Sequence, residues 1–217
     1  MAAKMKIAVL ISGRGSNLKS LIDAATASDY PAEIVLVLSN TAKAGGLDFA
    51  RAANIPTAVL PHGDFGSREE FDNAIDARLH EAGVDLLCLA GFMRILSNGF
   101  VRKWQDRMIN IHPSLLPAFR GTDVHEQALA AGVRISGCTV HYVTPELDAG
   151  PVIAQAAVPV HAHDTPDTLA ARVLEQEHKL YPFAVRLIAE GRAQLYSGRV
   201  VFNDVADTDG VLLSPPL

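Results

Sequence analysis

The sequence predicts an α/β fold with a doubly wound, mostly parallel sheet, and three observations support this prediction. Apolar runs without alternation, such as residues 34–38, are typical of strands that are buried on both faces. Segments with helical spacing of apolar residues alternate with these runs along the chain. The last two predicted strands of the sheet are joined by residues 143–150, which are too few for a crossover helix, so this pair is expected to be antiparallel.

The N-terminal half of the chain, about residues 1–105, is predicted to be of the nucleotide-binding type. Within its third helix Phe71, Ile75 and Leu79 are four residues apart and form one apolar stripe. Residues 67–70, Ser-Arg-Glu-Glu, fit a capping box at the start of that helix. The strands are predicted at residues 6–11, 32–39, 57–60 and 85–89, and the helices at residues 16–26, 46–53, 67–81 and 98–104.

The second half, about residues 106–202, is predicted to begin with a strand at residues 108–112. This strand stops at Pro113 because proline cannot donate to a ladder. We expect residues 203–217 to be an irregular tail and residues 1–217 to form a single domain. The later elements are predicted as a helix at 123–131, strands at 136–142 and 151–160, a helix from Thr165 or Asp167 to about Leu187, and a hairpin at 194–202 that turns at Ser197-Gly198.

Composition excludes several classes of function. The net charge is −5 and no stripe of Lys or Arg is visible, which argues against nucleic acid as a partner. No apolar run is long enough to span a membrane. Cys88 and Cys138 lie in apolar runs and are expected to be buried thiols in a reducing, cytoplasmic compartment. Neither their spacing nor the pair His161 and His163 completes a metal motif, so we expect no metal.

The strand at residues 108–112 carries two polar side chains where it ends. Asn110 and His112 are two residues apart, so both side chains leave an extended segment on one face. An amide beside an imidazole at a strand's carboxyl end is typical of an active site. The alternative is a core strand whose Asn and His only cap neighbouring backbone groups.

A glycine-rich turn follows the first strand. Gly13, Gly15, Ser16 and Asn17 lie at the amino end of a predicted helix, where free N–H groups and the helix dipole favour an anion. Leu18 replaces the third glycine of a dinucleotide fingerprint, and no Gly-Lys-Ser/Thr follows as in a Walker A loop. The turn therefore predicts a cradle for a single phosphate. The alternative is a tight turn that merely caps the helix.

Two further loops carry candidate residues. Residues 89–96 follow a buried strand and place Arg94 in an apolar loop, which suits an aromatic ring that bears a carboxylate. The alternative is a buried loop with a surface Arg. Asp148 lies between the two late strands and could hold the tautomer of a catalytic His. The alternative for Asp148 is an ordinary turn residue.

Taken together, residues 11–18, 90–96, 110–117 and 146–151 closely resemble the folate-dependent phosphoribosylglycinamide formyltransferases of purine biosynthesis, which have a Rossmann-like fold. The resemblance covers about residues 5–191. One departure is Asp123, where many relatives have a histidine. The resemblance implies a catalytic group of Asn110, His112 and Asp148, a phosphate site of Gly15, Ser16 and Asn17, a glycinamide site near Leu174, Glu175, Gln176 and Glu177, and a folate site of Arg68, Met93, Arg94, Ile95, Leu96, Asn110, Thr144, Pro145, Glu146, Leu147 and Asp148.

The resemblance also implies a reaction. The formyl group of 10-formyltetrahydrofolate would pass to the amine of phosphoribosylglycinamide through a tetrahedral intermediate, with no metal and no covalent nucleophile. The partners would be these two small molecules, and the protein would be a monomer or a homodimer. The alternative is a 10-formyltetrahydrofolate hydrolase. A methionyl-tRNA formyltransferase would need a further C-terminal domain, and a ligand-binding module without activity would need loss of the catalytic group.

Overall fold

The computed structural model describes residues 3–205, 210 and 214, and it is an α/β protein with a seven-stranded sheet. The strands of the sheet are β1 (Met5–Ile11), β2 (Ala32–Ser39), β3 (Thr57–Val59), β4 (Leu86–Leu89), β5 (Met108–His112), β6 (Ile135–Tyr142) and β7 (Val152–Pro159). Their order is β3-β2-β1-β4-β5-β6-β7. The pairs β1–β2, β1–β4, β2–β3 and β4–β5 are parallel, whereas β6 and β7 are antiparallel. The predicted fold class is confirmed.

Six helices and a separate hairpin complete the described secondary structure, together with a short 3-10 turn at His62–Asp64. The hairpin turns at Ser197 and Gly198, whose φ angles of 49° and 77° fit a type I′ turn. The helices are α1 (Ser16–Ala25), α2 (Gly46–Ala52), α3 (Arg68–Glu81), α4 (Asn98–Lys103), α5 (Val124–Ala130) and α6 (Pro166–Ala189), and the hairpin strands are β8 (Ala193–Tyr196) and β9 (Arg199–Phe202).

The chain forms two compact units. The first contains Met1–Asn110 and Tyr142–Pro145, and the second contains Ile111–His141 and Glu146–Leu217. A single domain over residues 1–217 stays a prediction. For the predicted irregular tail, residues 206–209, 211–213 and 215–217 lie outside the described residues.

The first unit is built on an apolar core between strands and helices. Residues 7–11 of β1 are fully buried, as the continuous apolar run predicts. Within α3 the stripe of Phe71, Ile75 and Leu79 is buried in the same core as strands β1 and β4. Helix α1 packs against α2, and α3 packs against α4. The strand ends of this unit are therefore supported by a packed apolar core.

The predicted capping box at the start of α3 is half wrong. The Ser67 hydroxyl accepts a hydrogen bond from the Glu70 N–H at 3.1 Å, as predicted. The Glu70 carboxylate, however, accepts from the N–H of Gly66 at 2.9 Å instead of reaching back to Ser67. A reciprocal box is present at α6, where Thr165 and Thr168 cap each other's backbone.

The predicted helix at 123–131 is one residue too long at each end. Asp123 has a φ of 56°, which lies in the left-handed region, so α5 cannot begin before Val124. At its other end α5 stops at Ala130, and Ala131 is the C-cap.

Candidate functional site

The predicted phosphate-binding turn, residues 13–17 and called the phosphate turn below, lies in the first unit and depends on the close approach of Gly15 and Gly46. Gly15 has a φ of 78°, and a Cβ there would lie 2.4 Å from the Cα of Gly46, so no larger residue fits. Gly15 is the N-cap of α1, and among the described side chains none caps this helix. A left-handed glycine at the N-cap is compatible with both the anion site and the tight turn that caps the helix, so both interpretations stay open. The roles of Ser16 and Asn17 stay predictions.

The predicted folate-binding loop, residues 91–96 and called the folate loop below, is held at both ends by contacts with α3. Phe92 stacks on Phe71 with ring centroids 6.5 Å apart, and the Ser97 N–H donates to the Asp72 carboxylate at 2.7 Å. Between these anchors Met93 and Ile95 are 72% and 69% exposed. Exposed apolar side chains on an anchored loop are typical of a ligand surface.

The other predicted folate residues of the first unit differ in their exposure to solvent. Arg94 is exposed, whereas Leu96 is buried. Arg68 is the first residue of α3 and is exposed. Thr144 is half-buried and Pro145 is exposed.

Strand β5 carries the two polar side chains that the sequence predicts on one face. Asn110 is half-buried, and His112, two residues further along the strand, is 4% exposed. The alternation of an extended strand puts both side chains on the same face. The strand that carries both residues is therefore present, and a joint role of the amide and the imidazole stays a prediction.

The His112 ring faces two oxygen atoms within the second unit. Its Nε2 lies 2.9 Å from the backbone oxygen of Phe119, and its Nδ1 lies 3.5 Å from Asp148 Oδ2. A carbonyl and a carboxylate only accept hydrogen bonds, so the ring satisfies both contacts only when both nitrogens are protonated. The two ring nitrogens of His112 therefore each face an acceptor oxygen, one from a backbone carbonyl and one from a carboxylate. The capping alternative explains the Phe119 contact but not the carboxylate.

Asp148 is more than a turn residue. Its side chain is 9% exposed, its φ of 49° is left-handed, and the N–H of Gly121 donates to its Oδ2 at 2.9 Å. The exposed pair of Arg120 and Glu146, 2.8 Å apart, joins the same two loops. A strained and buried carboxylate held in this way is typical of a functional position.

His141 is a buried histidine near Asp148 that was not among the predicted site residues. This residue lies on β6, is 2% exposed, and its Nε2 is 3.9 Å from Asp148 Oδ1. Asp148 is thus flanked by two histidine rings. The available signal was the alternation of Gly137, Thr139 and His141 along β6, which places all three on one face.

His125 is a third histidine of the site region and lies near His112. Its half-burial and the nearby His112 lower the pKa of His125 from the ordinary value, with burial the larger cause. Asp123, the residue expected above to depart from the resembled family, is exposed and accepts a hydrogen bond from Thr122 Oγ1 at 3.0 Å. The departure at residue 123 therefore lies on the surface.

The loop that follows β5 is fixed by polar side chains of the second unit. The hydroxyl of Ser114 donates to the oxygen of Ala118 at 2.6 Å. The Thr139 hydroxyl donates to the oxygen of Ser114 at 2.7 Å and accepts from the N–H of Leu116 at 3.0 Å. This framework sets the position of the Phe119 oxygen beneath His112.

The four predicted glycinamide residues lie on α6 and divide between two faces. Glu177 is 6% exposed, whereas Glu175 is exposed, because residues two apart on a helix point in nearly opposite directions. Leu174 and Gln176 are half-buried. Burial, together with the charge of Glu177, raises the pKa of Cys138 to about 12. The thiol is therefore protonated near neutral pH and is not suited to be a nucleophile.

Among residues 3–205, 210 and 214, no three side chains of His, Cys, Asp or Glu form a group that could hold a metal ion. Over the same residues, no helix combines the length and the apolar character needed to cross a membrane.

Comparison with known proteins supplies further evidence. The model of the family described as Formyl transferase matches residues 5–185. Phosphoribosylglycinamide formyltransferase of Escherichia coli (strain K12) is 45% identical over 211 residues, which is 97% of each chain. The Homo sapiens trifunctional purine biosynthetic protein adenosine-3 is 54% identical over 192 residues, but the chain spans only 19% of that relative's length. A crystal structure of glycinamide ribonucleotide transformylase 1 from Symbiobacterium toebii has a TM-score of 0.91 at 44% identity, and the match covers 94% of this chain and 96% of that one.

Proposed function

Because the chain belongs to the formyl transferase family, we propose that it transfers the formyl group of 10-formyltetrahydrofolate to the amine of phosphoribosylglycinamide. The products are formyl-phosphoribosylglycinamide and tetrahydrofolate. Support for this acceptor comes from the 45% identity to the Escherichia coli enzyme over 97% of both chains. The monomeric or homodimeric state and the cytoplasmic location stay predictions.

The observation that carries the proposal is the contact of buried His112 with Asp148. In the proposed reaction the amine nitrogen attacks the formyl carbon, a C–N bond forms, and the carbonyl oxygen becomes negative. Asn110 would donate an amide N–H to this oxygen, and the imidazolium of His112 would add a positive charge. A fixed positive charge of this kind acts without reorganisation, because the protein has already oriented it.

The intermediate then collapses as the bond from the formyl carbon to the folate nitrogen breaks. The folate nitrogen takes up a proton, and the attacking nitrogen loses one. We assign Asp148, acting through water, as the acceptor of the proton from the amine. The buried Glu177, rather than the exposed Glu175, is the carboxylate that we assign to hold the amine.

The phosphate turn supports transfer over hydrolysis. A hydrolase of free 10-formyltetrahydrofolate has no need of a phosphate site, whereas a ribonucleotide acceptor carries a terminal phosphate. The relatives described above are named for purine biosynthesis or for transfer of the formyl group to phosphoribosylglycinamide, so they do not favour the hydrolase alternative.

The direct test is the identity of the product. Purified protein is incubated with 10-formyltetrahydrofolate and phosphoribosylglycinamide, and the ribonucleotide is analysed by mass spectrometry. We expect one formyl group on the ribonucleotide for each tetrahydrofolate formed. Free formate in place of formylated ribonucleotide would contradict the proposal and would favour the hydrolase.

A further inference from the structure

Ser12 lies in the first unit, immediately before the phosphate turn, and holds the folate loop through two hydrogen bonds. Its backbone N–H donates to the oxygen of Gly91 at 3.1 Å. The N–H of Met93 donates to the Ser12 hydroxyl oxygen at 2.8 Å, although the two residues are 81 positions apart. A single residue therefore fixes the position of the folate loop relative to the phosphate turn.

The hydroxyl of Ser12 continues this connection into the core. It donates its proton to Asn40 Oδ1 at 2.6 Å, and Asn40 is 7% exposed. The hydrogen bonds from Met93 to Ser12 and from Ser12 to Asn40 run in one direction, so each polarises the other. On the other side of the phosphate turn, the N–H of Gly46 donates to the oxygen of Gly13 at 3.2 Å. The turn and the loop are thus parts of one hydrogen-bonded network.

We propose that Ser12 is a positioning residue that couples the two ligand segments, so that each ligand strengthens the binding of the other. The inference rests on the proposed function, since it takes residues 13–17 and 91–96 as the phosphate and folate segments. A phosphate bound at the turn fixes Ser12, and Ser12 then holds the Met93 N–H in place. The folate meets a loop that is already ordered and loses less conformational entropy on binding.

Thermodynamic linkage makes a strict prediction about the affinities for the two ligands. If the ribonucleotide raises the affinity for the folate by some factor, the folate must raise the affinity for the ribonucleotide by the same factor. A residue that only stabilises the fold changes the melting temperature but leaves this factor unchanged. A change in this affinity factor therefore distinguishes a positioning role of Ser12 from a role in stability alone.

The test is calorimetric titration of phosphoribosylglycinamide with and without saturating tetrahydrofolate, which lacks the formyl group and cannot react. In the wild-type protein we expect tetrahydrofolate to lower the Kd of the ribonucleotide by about fivefold or more, and the reverse titration to give the same factor. Ser12→Ala should bring the factor close to one, and Ser12→Thr, which keeps a hydroxyl, should restore it. Thr26→Ala is the matched control, because the Thr26 hydroxyl donates to the oxygen of Asp23 at 2.6 Å at the opposite end of α1 from the phosphate turn.

A second measurement needs no variant. In wild-type protein, addition of phosphoribosylglycinamide alone should slow hydrogen exchange of the Met93 amide. Unchanged Met93 exchange, or Ser12→Ala protein that keeps the wild-type factor, would overturn the coupling. Wild-type protein that binds both ligands with a factor near one would overturn the coupling alone, whereas binding of neither ligand would overturn the proposed function as well.

Discussion

Replacement of Asp148 by Asn removes one negative charge from the most buried contact of the proposed site with the smallest change in shape. The Asn side-chain oxygen can still accept the Gly121 N–H, so the loop should keep its position. The lost interaction is with the imidazolium of His112, whose Nδ1 lies 3.5 Å from Asp148 Oδ2. The change therefore tests charge rather than packing.

The size of the effect follows from this distance. Two unit charges 3.5 Å apart interact by about 5 kcal/mol at an effective dielectric constant of about 20. At about 1.4 kcal/mol for each tenfold change in rate, loss of the whole interaction would slow the reaction by about 10³–10⁴. Only the part that is stronger in the transition state affects kcat, so we expect a loss between about 10² and 10⁴.

The assay is single-turnover formyl transfer, with KM for each substrate measured alongside. The matched control is Asp164→Asn in the same unit, because Asp164 accepts two hydrogen bonds from Arg172, at 2.7 and 2.8 Å, and has no assigned role in the reaction. The control should lower the melting temperature and leave kcat nearly unchanged. A kcat of Asp148→Asn close to wild type, or an equal loss in both variants, would refute the reasoning.

The remaining predictions concern an amide, a pair of carboxylates and pH. Asn110→Ala should lower kcat by about 10²–10³, the usual loss for one oxyanion donor, and a variant that keeps most of its activity would remove Asn110 from the mechanism. Glu177→Ala should slow transfer far more than Glu175→Ala, since only Glu177 is buried, and equal losses would contradict the assignment. The hydrogen bonds from Arg172 hold the pKa of Asp164 well below its usual range. The stability that ionised Asp164 contributes is therefore fully present above the pKa of this carboxyl in the unfolded chain, about 3.9. It is lost as the pH falls through the lower pKa of the same carboxyl in the folded protein. Denaturant unfolding of wild type and Asp164→Asn should show a free-energy difference that is constant near pH 7 and shrinks below about pH 4, and a difference that grows on acidification would contradict this.

Elements with strong local patterns could be predicted from the sequence. The stripe of Phe71, Ile75 and Leu79 fixes both the existence and the buried face of α3. The short connection between β6 and β7 already implies an antiparallel pair, and Ser197-Gly198 marks a hairpin. In each case the signal comes from residues that are close together in the sequence.

Features that depend on distant contacts could not be predicted in this way. The Met93 N–H reaches Ser12 across 81 residues, and no periodicity of the sequence encodes that pairing. The Nε2 of His141 lies 3.9 Å from Asp148 Oδ1, in a loop where Asp148 is left-handed and accepts from the N–H of the distant Gly121. That the Glu70 carboxylate accepts from the N–H of Gly66, and not from that of Ser67, likewise depends on the path of the preceding loop.

The central claim is that the chain passes the formyl group to a ribonucleotide and not to water. The most direct measurement is the absorbance change on deformylation of 10-formyltetrahydrofolate, recorded with and without phosphoribosylglycinamide. Positioning of the amine against the formyl group converts a bimolecular step into a nearly unimolecular one, an advantage of up to about 7–11 kcal/mol that free water lacks. Without the ribonucleotide, we expect the folate to be consumed at a small fraction of the rate seen with it. Equal rates with and without the ribonucleotide would contradict the account and identify the protein as a hydrolase.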